Sequence, residues 1–293
     1  METIGFIGVG KIGLPICEHL IKAGHRVLGY RRSSLADFEK IGGIPAQSPA
    51  EIAERADLIF ACLPSDQALE DVVNGPQGII HAVRPGQIVV EFGSHPVSVK
   101  KRYVAILESK GVPFLDGEVS GTPGMVVAKK GAIYVAGDEE AAKSLETVIA
   151  RFAEVYLYLG AFGAATTVKL LNNTLVALHI TGTAQVMAIG LKAGCDPALM
   201  IKAISSGSGA STQFGIRAPW MAERRFMPQQ GSAPGLFHYL DGAKELAQSV
   251  GAGTQLLDCL IEIFKVAVPR IGERDIAAIL EHFDSRPEQA NPH

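Results

Sequence analysis

The chain lacks the markers of several protein classes. Its four cysteines, Cys17, Cys62, Cys195 and Cys259, are scattered along 293 residues with no Cys-x-x-Cys pair. That spacing fits neither a disulfide framework nor a zinc site, and suits reduced core cysteines in a cytoplasmic protein. None of the eight histidines has metal-ligand spacing, so no metal is assigned. There is no run of basic residues and the formal net charge is −3, which argues against nucleic acid or an anionic membrane surface as a partner. Internal repeats and low-complexity tracts are missing too. Residues 1–8 are apolar but few, begin with Glu2 at the second position and have no basic leader, unlike a signal peptide. Residues 168–191 have the length of a membrane span. They also contain Lys169, Asn172, Asn173, His179 and Gln185, each costly in hydrocarbon, so a buried helix of a water-soluble protein is expected there.

What is present points to a large core. Hydrophobic residues make up 47% and charged residues 19%, enough for two domains at this length. In the first half, β-rich runs at 3–9, 26–30, 58–63, 87–92, 113–115, 132–136 and 156–159 alternate with helical patterns such as 14–23 and 97–110. Continuous apolar strands separated by helices imply a mostly parallel sheet covered on both faces. After Gly160 and Gly163 no strand pattern remains. One long helix is expected to about residue 193, stopped by Gly194, then helices near 197–205, 236–250 and 254–267, with loops at 205–211 and 225–235 and a frayed end from Arg286. The expected architecture is a doubly wound α/β Rossmann domain over residues 1–162, then an all-α domain over 163–293, linked by the long helix. An active site is expected in the cleft between the domains.

Gly8-Val9-Gly10-Lys11-Ile12-Gly13 is a G-x-G-x-x-G that follows a strand and opens a helix with Pro15 in its first turn. In that context it reads as a dinucleotide site. Gly8 permits the turn, Gly10 lets the backbone approach a pyrophosphate, Gly13 allows close helix–strand packing, and the helix N-terminus offers N–H groups to phosphate. An NAD site would place an acid about twenty residues beyond the motif. Here Tyr30-Arg31-Arg32-Ser33 stands at the end of the second strand, and no acid follows until Asp37. Two guanidinium groups and a hydroxyl suit a 2′-phosphate, so NADPH/NADP+ is expected over NAD.

Further segments carry a resemblance. Asp116-Gly117-Glu118-Val119-Ser120-Gly121-Thr122 resembles the D-x-P-V-S-G-G substrate motif of the β-hydroxyacid dehydrogenases, in the 6-phosphogluconate dehydrogenase superfamily. Gly160-Ala161-Phe162-Gly163 through Lys169 and Asn173 resembles the catalytic helix of that family, Lys244-Glu245-Leu246 its K-D-L motif, and Leu63-Pro64-Ser65 its L-P segment. The resemblance runs in order along nearly the whole chain. It implies hydride transfer between the nicotinamide and a small hydroxy acid or its semialdehyde or keto partner. Lys169 would be general acid–base with Asn173 beside it, one helical turn on. Ser120 and the backbone of Gly121 and Thr122 would bind the substrate carboxylate. Leu63, Pro64, Ser94 and Lys244 would lie at the cofactor, and Phe237 in the substrate pocket. The apolar surroundings of Lys169 would lower its pKa toward a working range.

The sequence departs from the pattern at Gly93, Glu118, Thr122, Ala165 and Glu245. Glu118, if it faced the pocket, would disfavour a dianionic substrate and favour a cationic group. Three other readings compete. A long-form 6-phosphogluconate dehydrogenase would need a larger helical domain. An imine-reductase-like enzyme typically lacks the lysine, as does a cofactor-binding module without catalysis. The long apolar helix suggests burial against a partner chain, in a homodimer or a dimer of dimers.

Overall fold

The computed structural model describes residues 3–284. These divide into two compact units between Lys169 and Leu170. The end from Arg286, expected to fray, lies outside the described residues.

The first unit is built on eight strands: β1 (Thr3–Ile7), β2 (Arg26–Tyr30), β3 (Ile44–Pro45), β4 (Leu58–Ala61), β5 (Ile88–Glu91), β6 (Phe114–Ser120), β7 (Ala132–Ala136) and β8 (Val155–Tyr158). They form one sheet in the order β3-β2-β1-β4-β5-β6-β7-β8. Every neighbouring pair is parallel except β6 and β7. Successive side chains alternate between the two faces of a strand, and here both faces are buried. Phe6, Phe60, Val90 and Leu115 enter one core, while Ile7, Ile59, Val89 and Phe114 enter the other. Two apolar layers against one sheet define a doubly wound Rossmann-type fold. Phe60 centres the first layer, with Phe92 stacked at 5.2 Å and Phe152 edge-on at 5.9 Å.

Most strands fall where the apolar runs place them, with ends shifted by a residue or two. Two differ in kind. The two-residue β3 has no apolar run to announce it and exists by pairing with β2. β6 does not stop at Leu115 but continues through Asp116, Gly117 and Glu118 to Ser120. These polar residues can occupy a buried strand because charged partners from other elements meet them.

In the second unit the described residues form helices and turns without a strand. The long helix runs Ala164–Lys192, then come Pro197–Ser205, Thr212–Ala222, Ala233–Ser249 and Gln255–Ile271. The helix at Thr212–Ala222, not anticipated from the sequence, contains Gly215 and Pro219. Ser211 caps it by accepting the Phe214 N–H. Asp275 ties the later turns together: it accepts from Arg217 at 2.7 Å and from the backbone N–H groups of Gln230 and Gly231.

The long helix is buried within the chain only in part. Ala177, Ile180, Ala184 and Met187 enter the core of the second unit, but Leu171, Leu175, Val186 and Ile189 are exposed. By length and composition alone it could cross a membrane; 44% of its most apolar window is buried inside the chain.

Truncating Phe60 to Ala removes the ring around which the aromatic layer packs. The expected loss is about 3–5 kcal/mol of stability, read by urea unfolding. An unchanged midpoint would mean that the layer closes without it.

Candidate active site

At the C-terminal ends of β1, β2 and β4 a groove of about 920 Å³ opens in the first unit. Ligands of open α/β sheets bind at such strand ends. The glycines of the loop serve different needs. Gly8 has φ +97°, and a Cβ there would meet the Cys62 carbonyl oxygen at 2.1 Å. A Cβ on Gly13 would strike the Gly8 carbonyl oxygen and the Phe6 ring. Gly10 has nothing within 4 Å of such an atom and lines the groove. The helix Gly13–Lys22 begins there with no side-chain cap and no acid in its first turn. Leu14 already donates to the Gly10 carbonyl at 2.9 Å and Pro15 has no N–H, so of the first three helical residues Gly13 has the N–H to offer an anion. Lys11, Ile12, Leu63 and Pro64 also line the groove. Val9 is fully buried and contributes its carbonyl instead.

Arg31, Arg32 and Ser33 line the same groove. Arg31 has internal partners: it donates to the Val9 carbonyl at 2.6 Å and pairs with the Asp37 carboxylate and the Ser34 carbonyl. The guanidinium thus braces the glycine loop against the end of β2. Arg32 and Ser33 are exposed.

A second set of polar groups gathers around the C-terminal ends of β5 and β6. Lys169, on the first turns of the long helix, is 7% exposed and donates from Nζ to the Val119 carbonyl at 2.8 Å. Burial lowers its pKa, and the Glu118 carboxylate opposes that shift. The ammonium is thereby brought to the strand end that carries Ser120. That serine is not in a loop, as the flanking glycine suggested: it is the last residue of β6, opposite Ala132 of β7. Thr122 is a helix cap, its hydroxyl accepting the Met125 N–H at 3.3 Å, so only its backbone is spare for a ligand.

Glu118 does not face an open pocket. It is 1% exposed. Its Oε2 accepts from Ser94 Oγ at 2.7 Å, its Oε1 lies 3.4 Å from Thr166 Oγ1, and Lys100 Nζ stands 3.8 Å away. Burial pushes its carboxyl up to about 7, against the pull of Lys100, Ser94 and Lys169. The expected selection against dianionic substrates by direct contact therefore loses its basis.

Lys100 is the residue that sequence reading missed. It is completely buried. It donates to Asp116 Oδ1 at 2.8 Å, to the Gly117 carbonyl at 3.2 Å and to Thr166 Oγ1 at 3.1 Å, with Glu91 Oε2 at 3.4 Å. Burial works against its charge, but Glu91, Glu118 and Asp116 together hold its pKa above the ordinary lysine value. Asp116 accepts in turn from the Thr166 backbone N–H at 3.0 Å and its hydroxyl at 2.6 Å, capping the long helix from β6. The cluster reaches the surface through His95, which is 2.7 Å from Asp66 and 3.6 Å from Glu91. Only the aspartate that opens the substrate motif hinted at this network; Lys100 lies in an ordinary-looking helical run, Val97–Glu108.

The remaining candidates lie in the second unit. Asn173, one turn beyond Lys169, accepts from Asn172 Nδ2 at 3.3 Å. Lys244 is paired with Asp258 at 2.6 Å, and Phe237 stacks on Phe264 with ring centres 6.0 Å apart. Among the described residues no group of three or more His, Cys, Asp or Glu is placed to hold a metal ion.

The raised carboxyl of Glu118 has a pH signature. Folded, it holds its proton up to about 7; unfolded, a glutamate releases it near ~4.3. Its contribution to stability is therefore complete below ~4.3 and lost as pH rises through about 7. Paired thermal melts should show Glu118→Gln gaining on the wild-type chain between pH 5 and pH 8, by a few kcal/mol at most. A constant difference would count against a protonated Glu118.

Comparison with known proteins places this arrangement. Residues 3–160 match the model of the NAD-binding domain of 6-phosphogluconate dehydrogenase. Residues 163–283 match the NAD-binding model of NADP-dependent 3-hydroxyisobutyrate dehydrogenase. The mouse mitochondrial 3-hydroxyisobutyrate dehydrogenase is 30% identical over 86% of this chain and 76% of its own length. The L-threonate dehydrogenase of Cupriavidus necator is 32% identical over 78% of this chain and 77% of its own. An NAD-dependent L-serine dehydrogenase of Pseudomonas aeruginosa aligns over 97% of this chain and 98% of its own at 26% identity. The fold is that of a Mycobacterium tuberculosis 3-hydroxyisobutyrate dehydrogenase solved with L-serine, with a TM-score of 0.88 at 23% identity, covering 97% of this chain and all of that one. The chain belongs to the β-hydroxyacid dehydrogenase family, NAD(P)-dependent oxidoreductases akin to 3-hydroxyisobutyrate dehydrogenase.

Proposed function

We propose that the chain uses NADP(H) to interconvert a small hydroxy acid and its semialdehyde or keto partner, with Lys169 as general acid–base. The carrying observation is a lysine buried at the end of β6, its pKa lowered by burial and its Nζ held on the carbonyl next to Ser120. In reduction Lys169 would protonate the carbonyl oxygen; in oxidation it would accept the hydroxyl proton. Ser120 and the N–H groups of Gly121 and Thr122 would bind the carboxylate as neutral donors, and Asn173 would hold the reacting oxygen in register with the lysine. The hydroxy acids in the relatives' names, 3-hydroxyisobutyrate, L-threonate and L-serine, each combine a hydroxyl with a carboxylate.

The groove residues fit a dinucleotide, which when bound supplies or takes the hydride. Gly8, Gly10, Gly13 and the helix start would receive the pyrophosphate, with Val9, Lys11 and Ile12 shaping the loop and Leu63, Pro64 and Ser94 farther along. Arg31, Arg32 and Ser33 support the preference for a 2′-phosphate. Lys244 would have to exchange Asp258 for cofactor or substrate, and Phe237 would serve the pocket from its stack on Phe264. The exposed apolar side of the long helix supports a homodimer or dimer of dimers, since a second copy would remove Leu171, Leu175, Val186 and Ile189 from water. Four free cysteines suit a reducing, cytoplasmic setting.

The deciding experiment measures oxidation of NADPH and NADH with glyoxylate, succinic semialdehyde, methylmalonate semialdehyde, tartronate semialdehyde and a cyclic imine. NADPH-selective turnover of one aldehyde acid is expected; turnover of the imine alone would move the chemistry to imine reduction. Lys169→Ala should lower kcat by about 10²–10⁴-fold while NADPH still binds. Retained turnover would exclude the lysine as acid–base. Arg32→Ala should weaken NADPH about tenfold and leave NADH nearly unchanged, in keeping with loss of one charge-assisted phosphate contact. Equal weakening of both would point to a general loss of the groove.

A further inference from the structure

We propose that Glu118 is a positioning residue that acts through Lys169: its enclosed carboxyl is a titrating counter-charge that governs when the lysine carries its proton. This rests on the reading of Lys169 as acid–base.

The geometry singles Glu118 out among the buried acids. It precedes Val119, whose carbonyl takes the Lys169 Nζ hydrogen bond. One of its oxygens receives Ser94 Oγ from the loop after β5. The other lies 3.4 Å from Thr166 Oγ1, three residues before Lys169 on the same helix, whose proton goes to Asp116. The carboxyl is thus held from the turn after β5 and lies against the helix that carries the lysine. Asp116 and Glu91 are committed to Lys100, at 2.8 and 3.4 Å, whereas Glu118 is the most distant of its three acids at 3.8 Å. The lysine at 169 feels Glu118 as the charge that opposes its desolvation. The other charged and titratable groups facing the cluster are Glu91 and His95 from β5 and its following turn, Asp116 from β6, Lys100 from the Val97–Glu108 helix, and Cys62 after β4. Glu91 and Asp116 pair with Lys100, and His95 contacts Asp66 and Glu91.

Glu91, Asp116 and Glu118 are enclosed with one permanently charged lysine. With Lys169 neutral, a third negative charge is poorly matched and Glu118 favours its acid form. With Lys169 protonated, Glu118 favours the carboxylate. Proton uptake by one group therefore assists proton loss by the other, and the two titrate as a pair. An enzyme that must run its lysine as acid in one direction and base in the other gains from such a partner.

The test reads Lys169 directly and needs no substrate. Nζ of the full chain, labelled at lysine and assigned by loss of its signal in Lys169→Arg, is titrated by NMR. In the wild-type chain the Lys169 signal should show a secondary step near pH 7, where the Glu118 carboxyl ionises. In Glu118→Gln that step should vanish and the main midpoint should fall by about one pH unit, as expected on removing a neighbouring opposite charge. Glu118→Asp, which keeps the charge, should return the midpoint toward wild type. A midpoint unmoved in Glu118→Gln overturns the proposal and leaves Glu118 a packing group. If Glu118→Gln does not fold, Ser94→Ala is read instead. Loss of that hydrogen bond should shift the secondary step to higher pH, and a stationary step overturns the proposal. Turnover surviving Lys169→Ala would instead sink the acid–base assignment, whatever the titration shows.

Discussion

A single buried ammonium organises the first unit around its chemistry. Lys100 has no contact with water, and its charge is tolerable only because Asp116, Glu91 and Glu118 surround it. The dependence is mutual, because those carboxylates could not lie inside a sheet without it. Asp116, so held, caps the first turn of the long helix through Thr166. The cap fixes where that helix starts, and Lys169 stands on its next residues. The position of the proposed acid–base is thus set by a charge balance that includes Thr166, three residues before it.

This arrangement explains what was and was not legible in the sequence. Strands such as β1 and β7 are apolar runs that end at a glycine, and the pattern of burial follows from the residue types alone. The glycine loop was equally readable, since a positive φ at Gly8 and a Cβ clash at Gly13 leave no other residue in place. β6 was not. Asp116 and Glu118 interrupt its apolar run, and nothing near them in sequence announces that Lys100 will neutralise them. The partner comes from a helix whose pattern looks like any amphipathic surface segment. Similarly, Pro219 and Gly215 concealed the helix at Thr212–Ala222, where tertiary packing of Phe214, Ala218 and Met221 overrides poor helix formers.

The candidate site divides in the same way. Lys169 and Ser120 were found by their motifs, and the fold brings the lysine to the end of the strand that carries the serine. Glu118 stands out as an oddity, but whether it faces the pocket is not legible, because a sequence shows charge and not enclosure. Ser94, placed beside the cofactor by resemblance, has a second task as hydrogen-bond donor to Glu118. Lys244 and Phe237 were named for function, and inside the second unit each has a local partner that accounts for its conformation.

Arg31 shows how binding preference and architecture become entangled in one side chain. Its guanidinium spans from the Val9 carbonyl to Asp37. The same group that would read a phosphate is also a strut under the loop that would cradle the rest of the dinucleotide. An attempt to redesign coenzyme choice by exchanging Arg31 would disturb both at once, and so would evolution's attempts. Neighbouring Arg32 and Ser33, exposed on the groove, are the positions where preference could drift with little effect on the scaffold. In a lineage that changed coenzyme, Arg31 would be the last of the three to go.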